Sequence, residues 1–132
     1  MAQYTTTTES GKTYRRVLSA STLAGDRVIN ASGEDIGKID ELMIDTPTGR
    51  VAYAVLSFGG FLGMGDKLFA IPWNRLSLDE DNKVFRLDID KETLKRAPGF
   101  DKDHWPDMAD RTWGTEIYKY YRSEPYWNNE RM

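Results

Sequence analysis

The stretch RVAYAVLSF, residues 50–58, is apolar on nearly every position. Because successive side chains of a strand point to opposite faces, Val51, Tyr53 and Val55 share one face, and two alanines and a leucine share the other. A strand with no polar face must be covered on both sides. This stretch therefore predicts a strand in the interior of a β-domain.

Similar short patterns surround this strand and are separated by turn signals such as Thr46-Pro47-Thr48-Gly49. The segment at 83–89 alternates apolar and polar residues, as a half-buried strand does. In the segment at 35–45 the apolar residues do not stay on one face throughout, which predicts a bend or bulge near Gly37. The candidate strands occupy residues 27–30, 35–45, 50–58, 67–71, 75–79 and 83–89. Several short strands around a doubly covered one predict an all-β fold, either a small closed barrel or a sandwich.

The glycine-rich loop after the interior strand reads GGFLGMG, residues 59–65. Gly60 and Gly65 have the spacing of a phosphate-binding P-loop, but Asp66 stands where that motif needs lysine. The loop also leads into the strand KLFAI, whereas phosphate motifs lead into a helix whose N-terminal amides hold the anion. The pattern favours a wide hairpin connection over a phosphate site.

Four apolar side chains are expected at the tip of this hairpin: Phe58, Phe61, Leu62 and Met64. Apolar residues on an exposed tip are typical of a contact surface. The sequence therefore predicts that this tip contacts a partner or another part of the same chain.

The flanks of the β-region differ from it in composition. Residues 1–15 are polar, include four consecutive threonines and predict a flexible tail. Residues 16–99 hold the predicted barrel, which ends in a short helix begun by Asp90 and stopped by Pro98-Gly99. Residues 100–132, the C-terminal extension, carry half of the chain's aromatic residues.

The extension contains one helical pattern. Trp113, Ile117, Tyr120 and Tyr121 fall at i, i+4, i+7 and i+8, so that on a helix they form one apolar stripe. Asp110 is suited to cap the start of this helix. We predict that these four side chains belong to an interaction surface.

Gly114 lies inside this helix and lowers its stability by about 1 kcal/mol relative to alanine. An isolated helix of this length is marginal in water, so we expect it to form only when docked. Two docking surfaces remain open. The helix either completes the core of its own barrel, or it acts as an arm exchanged across a dimer or offered to a partner.

The composition excludes several classes of protein. There is no cysteine, which excludes disulfides and thiolate chemistry and fits a reducing cytoplasm. The formal net charge is −3, without a basic block of the kind that binds nucleic acid. The first residues lack the pattern of a signal peptide, and no apolar run is long enough to span a membrane. We predict a cytoplasmic protein without a nucleic-acid partner.

The single histidine, His104, lies among Asp101, Asp103, Asp107 and Asp110. Such a group could hold a metal ion, but a solvated, capped loop before a helix is the commoner meaning of the pattern. An ion sensor at this loop remains an alternative. No nucleophile-elbow sequence accompanies the histidine. We therefore predict no catalytic residues, no metal site and no cofactor.

Several residues between positions 25 and 98 follow one another in an order and spacing typical of one protein family. These marks are Gly25, Val28, Asn30, Gly33, Glu34, Gly37, Asp45, Gly49, Gly59, Gly60, Ile71-Pro72-Trp73 and Ala97-Pro98. On these marks the chain resembles the PRC-barrel family over roughly residues 18–100. The C-terminal extension is similar to that of small, free-standing bacterial members.

The resemblance implies a six-stranded β-barrel with short helices, an adaptor role and, often, a homodimer. It implies no enzymatic residues, because the family has none to carry over. We therefore predict a non-enzymatic protein-interaction or scaffold module that associates with itself and with a further protein partner. The alternative is an RNA- or ribosome-associated maturation or assembly factor.

Overall fold

The computed structural model describes residues 4–7, 13–59 and 67–129. In that part of the chain there are eight strands: β1 (Tyr4–Thr7), β2 (Thr13–Val17), β3 (Arg27–Ile29), β4 (Asp35–Asp45), β5 (Arg50–Phe58), β6 (Lys67–Pro72), β7 (Leu76–Asp79) and β8 (Val84–Leu87). The helices are α1 (Ala20–Leu23), α2 (Lys91–Lys95) and α3 (Arg111–Tyr120), and short 3-10 helices cover Trp73–Arg75 and Tyr126–Asn129.

The six candidate strands are confirmed, and they form one sheet in the order β6-β5-β4-β3-β8-β7. Neighbouring strands are antiparallel except β3 and β8, which run parallel. The six strands form one half-barrel rather than two packed sheets, and no ladder joins β6 to β7 within the described residues. The predicted all-β barrel class is confirmed.

The strand β5 is the interior strand, as its two apolar faces predicted. Its side chains from Ala52 to Phe58 are all buried, with Ala54, Val55 and Leu56 fully so. β5 pairs with both β4 and β6, which covers its edges as well as its faces. This strand therefore positions the core on which the rest of the domain packs.

The predicted bulge near Gly37 is also confirmed. Val28 pairs with Gly37 and Ile29 with Asp35, which leaves Ile36 as the extra residue of β4. Gly37 has a φ of +126°, and a Cβ at this position would lie 2.4 Å from the carbonyl oxygen of Ser57. Both the backbone angle and the close strand therefore require glycine here.

The turn between β3 and β4 is closed by a buried asparagine. The Oδ1 atom of Asn30 accepts hydrogen bonds from the backbone N–H groups of Ser32 (3.1 Å) and Glu34 (2.9 Å). Its Nδ2 atom donates to the Glu34 carboxylate at 2.8 Å. Asn30 is thus buried with its polar groups hydrogen-bonded. These bonds close the turn, which is a structural reason for an asparagine at this position of the family pattern.

The N-terminal segment contains two short strands. The sequence predicted a flexible tail over residues 1–15, but β1 and β2 lie there and pair antiparallel in a separate two-stranded sheet. Threonine is β-branched and favours extended backbone, which is the physical reason for strands in this polar segment. Its flexibility stays a prediction.

Of the helices in the described ranges, none is both long enough and apolar enough to cross a membrane.

Candidate interaction surface

The helix α3 packs on the barrel of its own chain. The Oδ1 atom of Asp110 accepts a hydrogen bond from the N–H of Thr112 at 2.9 Å, so the predicted cap is confirmed. Ile117 and Tyr121 are 2% and 3% exposed. Within a single chain the helix thus completes the core of its own barrel, and its exchange across a dimer stays a prediction.

The buried face of α3 is rotated from the predicted stripe. Trp113 and Tyr120 are only half-buried, whereas Gly114 and Tyr118 are buried with Ile117 and Tyr121. The sequence analysis missed Tyr118, whose hydroxyl donates a 3.0 Å hydrogen bond to the Ala52 carbonyl in β5. The signal that could have found it is the spacing 114-117-118-121, but a glycine on that face concealed it.

Gly114 allows α3 to approach the barrel closely. A Cβ at this position would lie 2.6 Å from the Tyr53 hydroxyl oxygen and 2.8 Å from Cη2 of Trp127. The Tyr53 ring packs against Trp113 and Tyr118, with ring centroids 5.3 and 5.5 Å apart. The glycine that weakens the helix in isolation is thus the residue that lets it dock.

The end of the extension is fixed to the β4–β5 hairpin by Tyr126. The Tyr126 hydroxyl donates a hydrogen bond to the Asp45 carboxylate, and Nη1 of Arg50 donates to the Tyr126 carbonyl at 3.2 Å. The Arg50 guanidinium also lies 5.1 Å from the centroid of the Tyr126 ring. Two side chains flanking one hairpin turn therefore hold one aromatic residue.

The hydrogen bond between Tyr126 and Asp45 shifts the pKa values of both side chains. The hydrogen bond from Tyr126 lowers the pKa of Asp45 below its ordinary value. Burial, together with the bond to Asp45, raises the pKa of Tyr126 to about 12. The pair is thus a carboxylate and a neutral phenol at neutral pH, which is the state that their hydrogen bond requires.

A groove of about 450 Å³ separates the β4–β5 hairpin from the extension. We call it the hairpin groove; its apolar wall comprises Met43, Ile44, Pro47, Met108 and Trp127. Ile44 is 48% exposed, one of three large apolar side chains exposed in the described part of the chain.

Tyr53 also lines the hairpin groove, although the residue is only 1% exposed. Its hydroxyl is buried without a hydrogen-bond partner among the described residues. Burial raises the pKa of this phenol. The groove thus combines a partly exposed apolar wall with a neutral hydroxyl that has no partner in the described ranges.

The predicted hairpin tip is only partly described. β5 and β6 are antiparallel, which confirms that the glycine loop joins two such strands. Phe61, Leu62 and Met64 lie outside the described residues. Phe58 is 9% exposed and pairs with Lys67 at the end of β5, so its predicted place on an exposed tip is wrong. The side chain belongs to the core because Phe58 is still paired within β5, where it joins the cluster of buried side chains.

The loop around His104 is held together locally. Nδ1 of His104 lies 2.7 Å from Oδ1 of Asp101, and both side chains are exposed. Asp107 caps the N–H of Ala109 at 3.0 Å, and the Trp105 indole donates to the Lys102 carbonyl. No group of three potential metal-ligating side chains occurs within the ranges that the structure describes.

The half-barrel with one docked helix defines a small β-barrel domain with a C-terminal extension. The model of the PRC-barrel domain family matches residues 15–94, and the chain belongs to this family. The match confirms the resemblance given by the marks from Gly25 onward. The extension that carries α3 lies beyond the matched residues.

Comparison with known proteins finds similar solved structures but no curated relative. A search of curated proteins finds no match. Among solved structures, the chain is similar to a 16S ribosomal RNA processing protein RimM from Pseudomonas aeruginosa, with 23% identity and a TM-score of 0.39. The alignment covers 57% of this chain and 45% of that protein, so the chain spans less than half of its length.

Proposed function

We propose that this chain is a protein-interaction module that acts by binding rather than by catalysis, and that its first partner is a second copy of itself. The observation that carries the proposal is Ile44, a large apolar side chain that is 48% exposed beside the hairpin groove. Apolar surface next to a concave apolar wall is typical of an interface that is covered in the working assembly.

The contacts of the C-terminal extension support an interface at the hairpin groove. Tyr126 holds the hairpin end through Asp45 and Arg50, so both walls of the hairpin groove are fixed relative to each other. A preformed surface binds with less loss of conformational entropy than a mobile one. The sequence predicts that Phe61, Leu62 and Met64 of the glycine loop, which lie outside the described residues, contribute further apolar contacts to the same association.

The experiment compares two exposed apolar residues on different parts of the chain. Ile44→Glu places a charge beside the hairpin groove, and Val17→Glu is the matched control because Val17 is 66% exposed at the end of β2. We expect light scattering to give a dimer for the unaltered chain and for Val17→Glu, and a monomer for Ile44→Glu. A double variant, Phe61→Ser with Met64→Ser, measures the contribution of the loop.

Two results would contradict the proposal: a monomer at every concentration for the unaltered chain, or a dimer that Ile44→Glu leaves intact. Titration with a single-stranded oligoribonucleotide at low and moderate salt tests the alternative. Contacts to phosphates give steeply salt-dependent affinity, which the proposed module does not have. Saturable, salt-dependent RNA binding would favour an RNA-associated factor instead.

A further inference from the structure

A second cavity, of about 760 Å³, lies where α3 ends beside α2 and β8. Three guanidinium groups line it, those of Arg75, Arg96 and Arg122, and we call it the arginine cavity. They come from separate places in the sequence: the 3-10 helix after β6, the end of α2 and the residue after the cap of α3. The volume is within the range of small-molecule sites.

Two of the residues that line this cavity each have a buried donor with no acceptor among the described residues. Tyr121 is 3% exposed and its hydroxyl is without a hydrogen-bond partner. Nε of Arg75 is also buried and unpaired, although Nη2 of the same side chain donates to the Asp88 carbonyl at 3.5 Å. Buried donors are paired in the great majority of folded proteins, so two unpaired ones beside one cavity indicate an acceptor from outside.

The Tyr121 hydroxyl is protonated and can therefore donate a hydrogen bond to such an acceptor. Burial, with a contribution from the neighbouring Tyr120, raises its pKa. The phenol therefore stays neutral and keeps its proton to donate. Tyr120 does not compete for the same acceptor, because its own hydroxyl donates to the Thr93 carbonyl at 2.6 Å.

The charges around the cavity favour an anion. Guanidinium groups stay protonated at every physiological pH, and none of these three forms an ion pair within the part of the chain described. The carboxylates of Asp88 and Asp90 also line the cavity. Asp90 is engaged as the cap of α2, where its Oδ1 atom accepts from the N–H of Thr93 at 2.7 Å. Three positive and two negative groups leave one positive charge for a ligand to balance.

We propose that the arginine cavity binds an oxyanion, the carboxylate or phosphate group of a small molecule. The Tyr121 hydroxyl and Nε of Arg75 donate to it from the buried side, and Arg96 and Arg122 hold it from the rim. The apolar body of an organic acid then lies against Ile89 and the ring of Tyr120. This site is separate from the hairpin groove and does not depend on self-association.

The test is calorimetric titration of the full chain with inorganic phosphate and with benzoate, each at an ionic strength held constant with sodium chloride. The two probes distinguish a phosphate source from a carboxylate source. We expect saturable binding of at least one of them. Arg96→Gln and Arg122→Gln each remove one charged donor, and we expect each to weaken that binding about tenfold.

Tyr121→Phe and Tyr53→Phe form a matched pair, because both remove a buried hydroxyl that has no partner in the part of the chain that the structure describes. We expect both variants to keep the melting temperature of the unaltered chain when no anion is added. Only Tyr121→Phe should weaken binding of the probe, since Tyr53 lines the hairpin groove instead.

Three results would overturn the proposal. One is the absence of saturable binding for both probes. Another is equal binding by the unaltered chain and by all of the arginine and Tyr121 variants. The third is binding of an oligoribonucleotide, lost in the arginine variants, without binding of either small probe; that result would assign these arginines to a nucleic-acid surface.

Discussion

The barrel is flanked by two segments that differ in how they are attached. At the N-terminal side β1 and β2 pair with each other in a sheet of their own, outside the six-stranded sheet. At the C-terminal side the extension buries Ile117, Tyr118 and Tyr121 against the barrel. It also begins with an antiparallel bridge, in which Phe100 and Leu68 exchange two 2.8 Å backbone hydrogen bonds.

The difference follows from composition. The N-terminal segment is rich in threonine, which pairs well as a strand but brings little apolar surface to a core. The extension carries half of the chain's aromatic residues, and each one that is buried contributes free energy of folding. One segment is therefore an addition to the domain, whereas the other is part of its core.

Removal of residues 100–132 should have the largest effect. It takes away three fully buried side chains, each worth about 1.5–3 kcal/mol, and it uncovers the outer edge of β6. Because a domain of this size is stable by only about 5–15 kcal/mol, we expect the truncated chain to be unfolded or close to it. Circular dichroism during urea unfolding measures this, and an unchanged midpoint would show that the extension is not part of the core.

Gly114→Ala should destabilise the chain although alanine is the better helix former. The gain in helix propensity is about 1 kcal/mol, whereas overpacking against Tyr53 and Trp127 costs about 1–3 kcal/mol. Glu116→Ala, on the exposed face of α3, is the control. The loss should be smaller when Tyr53→Phe is present, since the nearest atom is then gone; an equal loss in both backgrounds would contradict this close approach.

Tyr118→Phe should cost about 1–2 kcal/mol in free energy of unfolding, because the hydrogen bond from its hydroxyl to the Ala52 carbonyl is lost. Tyr53→Phe removes an equally buried hydroxyl that bonds to nothing among the described residues, and should leave stability unchanged or slightly higher. Chemical denaturation of the two variants side by side compares them. Equal losses would mean that the bond to Ala52 does not help to attach the helix.

Tyr126→Phe should cost about 1 kcal/mol or less at neutral pH, because Asp45 is only partly buried. The pKa of Asp45 is lowered in the folded state, so its contribution is present above the ordinary value of 3.8 and is lost as the pH falls through the folded value. The difference between the variant and the unaltered chain should therefore shrink below pH 3.8. The measurement is the melting temperature of both proteins at pH values above and below 3.8. A difference in melting temperature that does not change with pH would show that another contact is responsible.

Deletion of residues 1–15 should have the smallest effect, within about 0.5 kcal/mol. β1 and β2 pair only with each other in the described sheets, so their loss removes no strand from the six-stranded sheet. Differential scanning calorimetry of the deleted and the complete chain provides the measurement. A loss comparable to that from the C-terminal truncation would abolish the distinction between the two segments.

The sequence was sufficient to predict the sheet but not the docking of the extension. The apolar run of β5, the bulge at Gly37 and the cap at Asp110 are local patterns, and each predicted its element correctly. The buried face of α3 depends instead on Tyr53, a residue far away in the chain. Helical periodicity fixes which residues share a face, but the partner surface decides how the helix is rotated.

Local sequence patterns also do not predict the hairpin groove or the arginine cavity. Arg75, Arg96 and Arg122 show no common pattern along the sequence and meet only because three elements converge. The exposure of Ile44 was equally hidden, because the run Leu42-Met43-Ile44 is apolar throughout and does not show which of its residues is exposed. Phe58 shows the opposite error: it was expected to be exposed at the tip of the glycine loop, but it is the last residue of β5 and only 9% exposed.

The parallel pairing of β3 with β8 has a consequence for the order of folding. Val28 lies beside Phe85, so a large loop must close before this pair gains any contact energy. The antiparallel β4–β5–β6 meander needs no such closure and should assemble first. During synthesis β3 leaves the ribosome well before β8 exists, and we expect its Val28 side chain to stay in water until the later strand arrives.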